Sequence, residues 1–266
     1  MTCSHPVNNK YYLCPMENDQ TKIFGLRAII EAINAGKEIE KVYLQKEVKG
    51  GLASELNQLI KTNNISLSYV PIEKLNRLSK SGNNQIQNHQ GAVAKISSVS
   101  FLDIDTLIEK VISQNKTPLF LLLDQITDVR NMGAIIRTAE CTGVDGIIMP
   151  THGSAPINGD AIKTSAGAAF KVPISKVNHL LDAIYQLKAL NIQIVAVTEK
   201  TDTSLYEIEF NKPTALIMGS EHKGISNSIL KNSDFKGKLP LLGEIESLNV
   251  SVACGVALYE IVRQRG

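Results

Sequence analysis

Between residues 118 and 266, short apolar runs alternate with segments of helical periodicity, and this alternation restricts the fold more than any other feature of the chain. The apolar runs show no strict polar alternation, which is typical of strands that helices cover on both faces of a parallel sheet. Strands are predicted at 119–123, 146–149, 193–198 and 214–218, and helices at 133–142, 180–190 and 249–265. The pattern predicts an α/β domain with a mainly parallel sheet.

A smaller unit of mixed helices and strands precedes this domain. Helices are predicted at 26–35, 53–61 and 71–78, and strands at 41–44, 66–70 and 91–96. The chain therefore divides into a polar, flexible tail (1–21), a small α/β unit (22–98), a joining segment with one short helix at 102–112 (99–117), and the larger domain (118–266).

The positive charge of the chain is concentrated in the smaller unit. Residues 22–98 hold 11 lysines and arginines against 6 glutamates, a balance of +5, whereas residues 118–266 have a balance of −1. An excess of this kind suits a module that meets a polyanion such as nucleic acid. A lysine-rich surface that is simply solvated explains the charge equally well.

The apolar runs indicate the cellular compartment, and the cysteines bear on metal binding. No run approaches the roughly 20 apolar residues of a membrane helix, and the first residues lack a signal-peptide core, so we expect a cytoplasmic protein. Cys141 and Cys254 lie in apolar helical segments and are predicted to be buried thiols. Cys3, His5 and Cys14 match no zinc spacing, and no metal site is expected.

The first candidate for chemistry is the segment 128–139, which follows a strand and opens a helix. Gly133 and Arg137 are four residues apart and so share a helix face. A bare backbone one turn before an arginine could leave room for a phosphate against the guanidinium. An ordinary helix start with a solvent-facing arginine is the simpler alternative.

The second candidate, at 217–226, also follows a strand. Gly219 and Gly224 indicate a tight turn that a ligand could approach, and Glu221 lies where open α/β sheets place ligands. Ile225 stands where a phosphate-binding Walker loop requires lysine, and the dinucleotide fingerprint is absent too. The sequence therefore favours neither an ATPase nor a nicotinamide-dependent oxidoreductase.

The third candidate, at 239–253, contains a proline, a glycine and several polar side chains bracketed by apolar residues. Ser247 or Asn249 could simply cap the final helix. The same composition also suits an adenosine-sized pocket with a few polar anchors.

Together and in this order, the three segments resemble the motifs of the SpoU (TrmH) family of the SPOUT superfamily. The pattern N-x-G-x-x-x-R-x-A is met from Asn131 to Ala139, G-x-E-x-x-G-[IL]-S from Gly219 to Ser226, and S-L-N-V-S-V-A from Ser247 to Ala253. The smaller unit resembles that family's RNA-binding domain, which is similar to a ribosomal protein. Its weaker motifs are Ile23, Phe24, Gly25 and His89, Gln90, Gly91.

This resemblance implies a fold and a cofactor. The larger domain would be a SPOUT domain with a deep trefoil knot, a rare exception to unknotted chains. S-adenosylmethionine would bind in the knot against Gly219, Leu239, Leu248, Thr198 and Gly243. The family works as a homodimer with its active site near the interface, so an arginine of one chain could serve a cofactor held by the other.

The resemblance also implies an activity, namely transfer of a methyl group to a ribose 2′-hydroxyl of RNA without a metal. The implied catalytic residues are Arg137, Asn131, Glu221, Ser247 and Asn249. Arg137 would act either as a general base or, since arginine is always charged in proteins, as an anchor for phosphate and developing alkoxide. The expected target is a guanosine of 23S rRNA, with tRNA second, and a non-catalytic RNA-binding protein of the same fold is the remaining alternative.

Overall fold

The structure is a computed structural model that describes residues 22–46, 48–80, 85–97, 99–114, 116–221, 223–244 and 247–266. The predicted tail, with Cys3, His5 and Cys14, lies outside these residues. Within the described ranges, no helix is both long and apolar enough to cross a membrane. The same ranges hold no group of three or more His, Cys, Asp or Glu side chains arranged to bind a metal ion.

The smaller unit is a four-stranded sheet with helices on both faces. Its elements are β1 (Lys22–Phe24), α1 (Leu26–Asn34), β2 (Ile39–Gln45), α2 (Gly51–Thr62), β3 (Leu67–Val70), α3 (Ile72–Leu78) and β4 (Ala92–Ile96). The strand order is β1-β4-β2-β3, and only β2 and β3 run parallel. Helices α1 and α2 bury Ile29 and Leu56 against one face, and α3 buries Leu75 against the other. The predicted helices and strands are confirmed, whereas β1 was not predicted.

The two weak motifs of this unit meet at one turn. Gly25, at the end of β1, donates its N–H to the carbonyl of Ala92 at 3.0 Å. Gly91, with a φ of +80°, donates its N–H to Nδ1 of His89 at 3.1 Å. The His89 ring is held in turn by Oδ1 of Asn76, 2.8 Å from Nε2. These residues therefore fix the entrance to β4, which gives both motifs a structural role.

The larger unit is a six-stranded, wholly parallel sheet. Its elements after α4 (Ile104–Ile112) are β5 (Leu119–Asp124), α5 (Val129–Cys141), β6 (Gly146–Pro150), α6 (Gly159–Thr164), β7 (Ile174–Val177), α7 (Leu180–Ala189), β8 (Gln193–Val197), β9 (Thr214–Gly219), α8 (Asn227–Asn232), β10 (Phe235–Gly237) and α9 (Val250–Arg265). The strand order is β10-β8-β9-β5-β6-β7. The predicted parallel α/β fold is confirmed, and the two edge strands β7 and β10 were missed.

Two apolar layers enclose this sheet. On one side, α5 and α9 pack Ile136 and Leu258 against alternate residues of the strands. On the other side, α4, α7 and α8 pack against the remaining strand residues, with Leu107 of α4 fully buried. Helix α4 lies in the segment that was predicted to join the two units, and it contributes to the core of the larger one. The division at 99–117 stays a prediction.

The two cysteines within the larger unit differ in burial. Cys254 is fully buried in α9, as predicted, and burial raises its pKa to about 12. Cys141 is exposed, so its predicted burial is wrong. The buried stripe of α5 ends at Ala139, and two further residues turn a helix by about 200°, which places Cys141 on the solvent side.

The end of α9 is tied to the start of two central strands by one side chain. The guanidinium of Arg265 donates to four backbone carbonyls, those of Phe210 (2.8 Å), Thr117 (3.0 Å), Pro118 (3.2 Å) and Lys212 (2.7 Å). Thr117 and Pro118 lead into β5, and Lys212 leads into β9. Arg265 therefore joins three elements that are far apart in sequence.

We expect Arg265→Ala to lower the free energy of unfolding by about 2 kcal/mol, because four backbone carbonyls, two of them in partly buried hydrogen bonds, lose a charged donor. Thermal unfolding followed by circular dichroism should show a Tm lower by about 4–8 °C. Arg265→Lys should fall in between, since an ammonium keeps the charge without the planar fork. An unchanged Tm for the alanine variant would contradict this role of Arg265.

Candidate functional site

The start of α5 positions the first predicted site residue. Asp128 caps this helix, and its carboxylate accepts the backbone N–H of Asn131 at 2.8 Å. The cap fixes the first turn, so the side chain of Asn131 projects from a defined point at the carboxyl end of β5. A carboxylate is favoured there by the helix dipole as well as by the hydrogen bond.

The loop after β9 positions the second predicted site residue, Glu221. Gly219 ends the strand, and a Cβ at this residue would lie 2.3 Å from the backbone C of Gly224 and the backbone N of Ile225. Gly224 itself has a φ of +67°, and its N–H donates to the carbonyl of Ser220 at 2.8 Å. The loop thus folds back onto the strand end so closely that only glycine fits at 219.

A buried carboxylate holds the far end of this loop. Asp124, the last residue of β5, is 5% exposed and accepts the N–H of Ser226 at 2.8 Å. Asp124 is not among the site residues predicted from the sequence. An acidic residue that ends an otherwise apolar strand, next to the site strand β9, was the available signal.

The start of α9 positions the third predicted site residue, Asn249. Asn249 caps the helix, as predicted for Ser247 or Asn249, and its Oδ1 accepts the N–H of Ser251 at 3.0 Å. Ser251 also donates its hydroxyl to the same oxygen at 2.6 Å. Ser247 is exposed in the loop before the cap.

These three positions converge on one carboxylate oxygen. Oε1 of Glu221 accepts Nδ2 of Asn131 at 3.1 Å and the backbone N–H of Val250 at 3.3 Å, and it also accepts Nδ2 of Asn249. Nδ2 of Asn249 lies 3.1 Å from Oδ1 of Asn131 as well. We call Glu221, Asn131 and Asn249 the Glu221 cluster. A charged acceptor that gathers neutral donors makes strong, directional contacts, so the cluster fixes three loops relative to one another.

A cavity of about 310 Å³ opens beside the Glu221 cluster. Four of the five predicted cofactor residues line it, namely Thr198, Gly219, Leu239 and Leu248, and so do Glu221 and Ser247. The fifth, Gly243, is not brought to this cavity, and no described atom lies within 4 Å of the place where its Cβ would stand. The cavity lining mixes apolar side chains with polar and charged ones, three lysines among them. Sites for small organic ligands combine apolar contact with polar groups that fix the ligand's orientation.

The two domains of the fold match two family models. Residues 118–259 match the SpoU rRNA Methylase family, and residues 22–102 match the model for RNA 2′-O ribose methyltransferase substrate binding. The chain belongs to the SpoU rRNA methylase family. The predicted resemblance, and with it the predicted fold class, is confirmed.

Known proteins match this SpoU family member over different shares of its chain. YacO of Bacillus subtilis, assigned to the TrmH family of tRNA/rRNA methyltransferases, is 30% identical over 94% of this chain and 98% of its own. The SpoU methyltransferase AviRb from Streptomyces viridochromogenes, solved in complex with AdoMet, superposes with a TM-score of 0.58 at 24% identity over 95% of each chain. The TrmH/SpoU tRNA modifying enzyme of A. aeolicus gives 0.52 at 30% identity, over 60% of this chain and 84% of its own.

Arg137 lies apart from the Glu221 cluster within this chain. It is exposed on α5, six residues after Asn131, which places it about 240° further round the helix. It lines a separate cleft of about 730 Å³ together with Arg130 and Lys163. One chain of the SpoU protein therefore brings together the other predicted catalytic residues but not Arg137.

Gly133 is not the open patch of backbone that its spacing from Arg137 suggested. A Cβ at this residue would lie 2.7 Å from both the carbonyl oxygen of Ala161 and Cβ of Thr164. Helix α6 occupies this space, so Gly133 allows two helices to pack closely rather than admitting a ligand. The proposed phosphate room beside Gly133 is wrong for this reason.

We expect Glu221→Gln to lower methyl-transfer kcat by about 10- to 100-fold, since a misplacement of about 1 Å can cost that much. An amide in place of the carboxylate loses the charge and presents an NH₂ group to two other amides, so the cluster must rearrange. Steady-state kinetics with labelled cofactor would measure the effect. Glu199→Gln, a change at another carboxylate that lines the same cavity but belongs to no hydrogen bond of the cluster, is the matched control. A kcat for Glu221→Gln equal to that of the wild type would contradict a role for Glu221.

Proposed function

We propose that this SpoU protein transfers a methyl group from S-adenosylmethionine to a ribose 2′-hydroxyl of RNA. The observation that carries the proposal is the convergence of all three family-matching segments on the Glu221 cluster and the cavity beside it. The substrate-binding model matched by residues 22–102, whose description specifies 2′-O ribose, supports the choice of acceptor.

The cavity residues suit S-adenosylmethionine. Leu239 and Leu248 offer apolar contact to an adenine-sized ring, while Thr198 and the backbone at Gly219 offer polar groups at the edge. The volume of about 310 Å³ is at the lower end of the range for small-ligand sites, so a compact, bent ligand fits better than an extended one. When bound, this cofactor supplies an electrophilic methyl carbon on a sulfonium.

The protein's own side chains hold the acceptor. The Glu221 cluster fixes the loops around the cavity and offers its amide groups to the ribose. The guanidinium of Arg137 donates hydrogen bonds to an RNA phosphate and to the 2′-oxygen as the proton leaves, since arginine is a donor only. The 2′-hydroxyl proton passes to an oxygen of that phosphate. Arg137 is in this proposal an anchor, and the role of general base is not needed.

We propose further that the protein is a homodimer in which Arg137 of one protomer faces the cavity of the other. The separation of Arg137 from the Glu221 cluster within one chain supports this arrangement. So does an exposed apolar stripe on α9 at helical spacing, formed by Val252 (52% exposed), Val256 (37%) and Tyr259 (56%). Light scattering would distinguish a dimer from a monomer.

A deep trefoil knot in the larger domain is part of the same proposal. The family resemblance implies this threading, and four separate stretches of the chain contribute Thr198, Gly219, Leu239 and Leu248 to the cavity wall. Mechanical extension of the denatured chain from both ends should stop short of the full contour length of about 3.3–3.6 Å per residue. Extension to the full length would contradict the knot.

The proposed target is a guanosine of 23S rRNA, in the cytoplasm. The smaller unit, with its +5 balance and its substrate-binding match, supports a large structured RNA. The second candidate is tRNA, favoured by the match to the tRNA modifying enzyme of A. aeolicus. That match covers only 60% of this chain, whereas YacO, which covers 94% of it, is named for both tRNA and rRNA.

Mapping of 2′-O-methyl marks tests the proposal directly. Ribosomal and transfer RNA from cells with and without the gene would be compared by alkaline-hydrolysis sequencing. We expect one mark in 23S rRNA to disappear with the gene and to return on treatment with the purified protein and S-adenosylmethionine. A lost tRNA mark would favour the second candidate. No lost mark, together with no cofactor binding in a calorimetric titration, would favour the non-catalytic RNA-binding alternative.

A further inference from the structure

The cleft that contains Arg137 carries two more cationic side chains. Arg130, in the first turn of α5, and Lys163, in the last turn of α6, line the same space of about 730 Å³. All three side chains are exposed at the cleft surface. Three cations that line one cleft repel each other in the absence of an anion, so their grouping needs an explanation.

These cations have no anionic partner within the described parts of the chain. Ion pairs there involve seven other lysines and arginines, and none includes Arg130, Arg137 or Lys163. Two carboxylates also line the cleft. Asp128 is engaged as the cap of α5, and Asp160 lies in the first turn of α6, where the helix dipole favours it.

The close packing of α5 on α6 fixes the spacing of these cations. Gly133 lies against the Ala161 carbonyl and Thr164, with no room for a Cβ between the two helices. Lys163 is adjacent to Thr164 in sequence, so the contact at Gly133 holds Lys163 opposite the helix that carries Arg130 and Arg137. The packing therefore fixes the backbone positions from which the three cationic side chains extend into the cleft.

We propose that Arg130 and Lys163 bind the phosphodiester backbone of the substrate RNA next to the nucleotide that Arg137 serves. The inference rests on the proposed function, and it assigns these two side chains as positioning residues for RNA. Lysine and arginine at the wall of an open cleft suit phosphate oxygens, which lie on the outside of any RNA strand. The contacts carry no sequence information, so they set the register of the RNA and leave the choice of base to other groups.

The test uses the variants Arg130→Gln, Lys163→Gln and the double variant in the full-length protein. The RNA is total ribosomal RNA from cells that lack the gene. We expect KM for RNA to rise about 3-fold for each single variant and about 10-fold for the double variant. The dependence of log K on log salt concentration should become shallower by about 0.7–0.9 for each lost contact. The kcat at saturating RNA and the Kd for S-adenosylmethionine should stay at the wild-type values.

Two controls separate this role from a structural one. Lys231→Gln removes an exposed lysine from α8, on the opposite face of the sheet, and should leave both KM and the salt slope unchanged. Lys163→Arg keeps the charge and should restore the slope. Salt slopes for the glutamine variants equal to that of Lys231→Gln would overturn the inference, as would a matching loss of cofactor binding.

Failure of the proposed function would look different. In that case the wild-type protein itself would transfer no methyl group to ribosomal or transfer RNA. If the wild type methylates RNA and the glutamine variants keep its KM and salt slope, only the assignment of Arg130 and Lys163 fails.

Discussion

Replacing Arg137 by alanine is expected to lower kcat for RNA methylation by about 100- to 1,000-fold, the usual cost of losing a group that stabilises developing negative charge. The guanidinium is exposed in its cleft and forms no ion pair with any described residue, so its removal leaves no buried group without a partner. Cofactor binding and Tm should therefore stay at wild-type values. Single-turnover transfer of labelled methyl, with a calorimetric titration of S-adenosylmethionine, would measure both.

Arg137→Lys distinguishes the two roles of this residue. An ammonium keeps the positive charge but lacks the planar fork that matches phosphate, so an anchor should lose only part of its effect. We expect kcat between those of the wild type and the alanine variant. A wild-type kcat in Arg137→Ala would contradict a role of this arginine in methyl transfer.

Replacing Gly219 by alanine is expected to weaken S-adenosylmethionine binding by about 10- to 100-fold. The added Cβ would lie 2.3 Å from backbone atoms of Gly224 and Ile225, and backbone cannot give way as a flexible side chain can. Forcing atoms into a packed site costs about 1–3 kcal/mol, and each 1.4 kcal/mol is a factor of ten in affinity. The loop carrying Glu221 must shift, so kcat should fall as well.

The matched control for this variant is Gly159→Ala. Gly159 is the first residue of α6, and no described atom lies within 4 Å of its Cβ position. Alanine there should leave cofactor affinity and Tm unchanged or slightly improved, since it is the better helix former. Equal Kd values for the two alanine variants would show that the close approach at Gly219 has no influence on the cavity.

Mixing the Arg137→Ala and Gly219→Ala proteins, both impaired in methyl transfer, tests the shared active site. If Arg137 of one protomer serves the cavity of the other, a dimer of one Arg137→Ala chain and one Gly219→Ala chain contains one site with both features intact. Methyl transfer should then reappear on mixing, at a fraction of the wild-type rate. No recovery in a confirmed mixed dimer would place Arg137 and the cavity within one chain.

The central strands could be predicted because both of their faces are covered. Every residue of β5 is buried, and a run of that composition is recognisable without any partner. The edge strands β7 and β10 could not be predicted, since Lys176 of β7 and Phe235 of β10 are left partly or largely open by the missing neighbour. A continuous apolar run predicts a strand whose two faces are both buried by helices. An edge strand is less buried, so its sequence lacks this run.

The motifs predicted which residues form the site, but not the hydrogen bonds between them. Nothing in the spacing of Asn131, Glu221 and Asn249 indicates that one carboxylate oxygen receives two amides and a backbone N–H. Gly133 was assigned the wrong role because helix α6, which fills the space beside it, is a short element without a clear periodic signal. Local patterns identify which residues matter, whereas the partner of each depends on tertiary packing.

The long sequence separations within the site have a consequence for biosynthesis. Asn131 and Asn249 are 118 residues apart, and Arg265 reaches back across 148 residues to Thr117. A nascent chain on the ribosome can fold its smaller unit early, because domains form in order of synthesis. It cannot assemble the Glu221 cluster until Asn249 and Val250, which both donate to Glu221, have left the exit tunnel. A polypeptide cut short between Ile96 and Asn249 therefore keeps the smaller unit but lacks the Glu221 cluster.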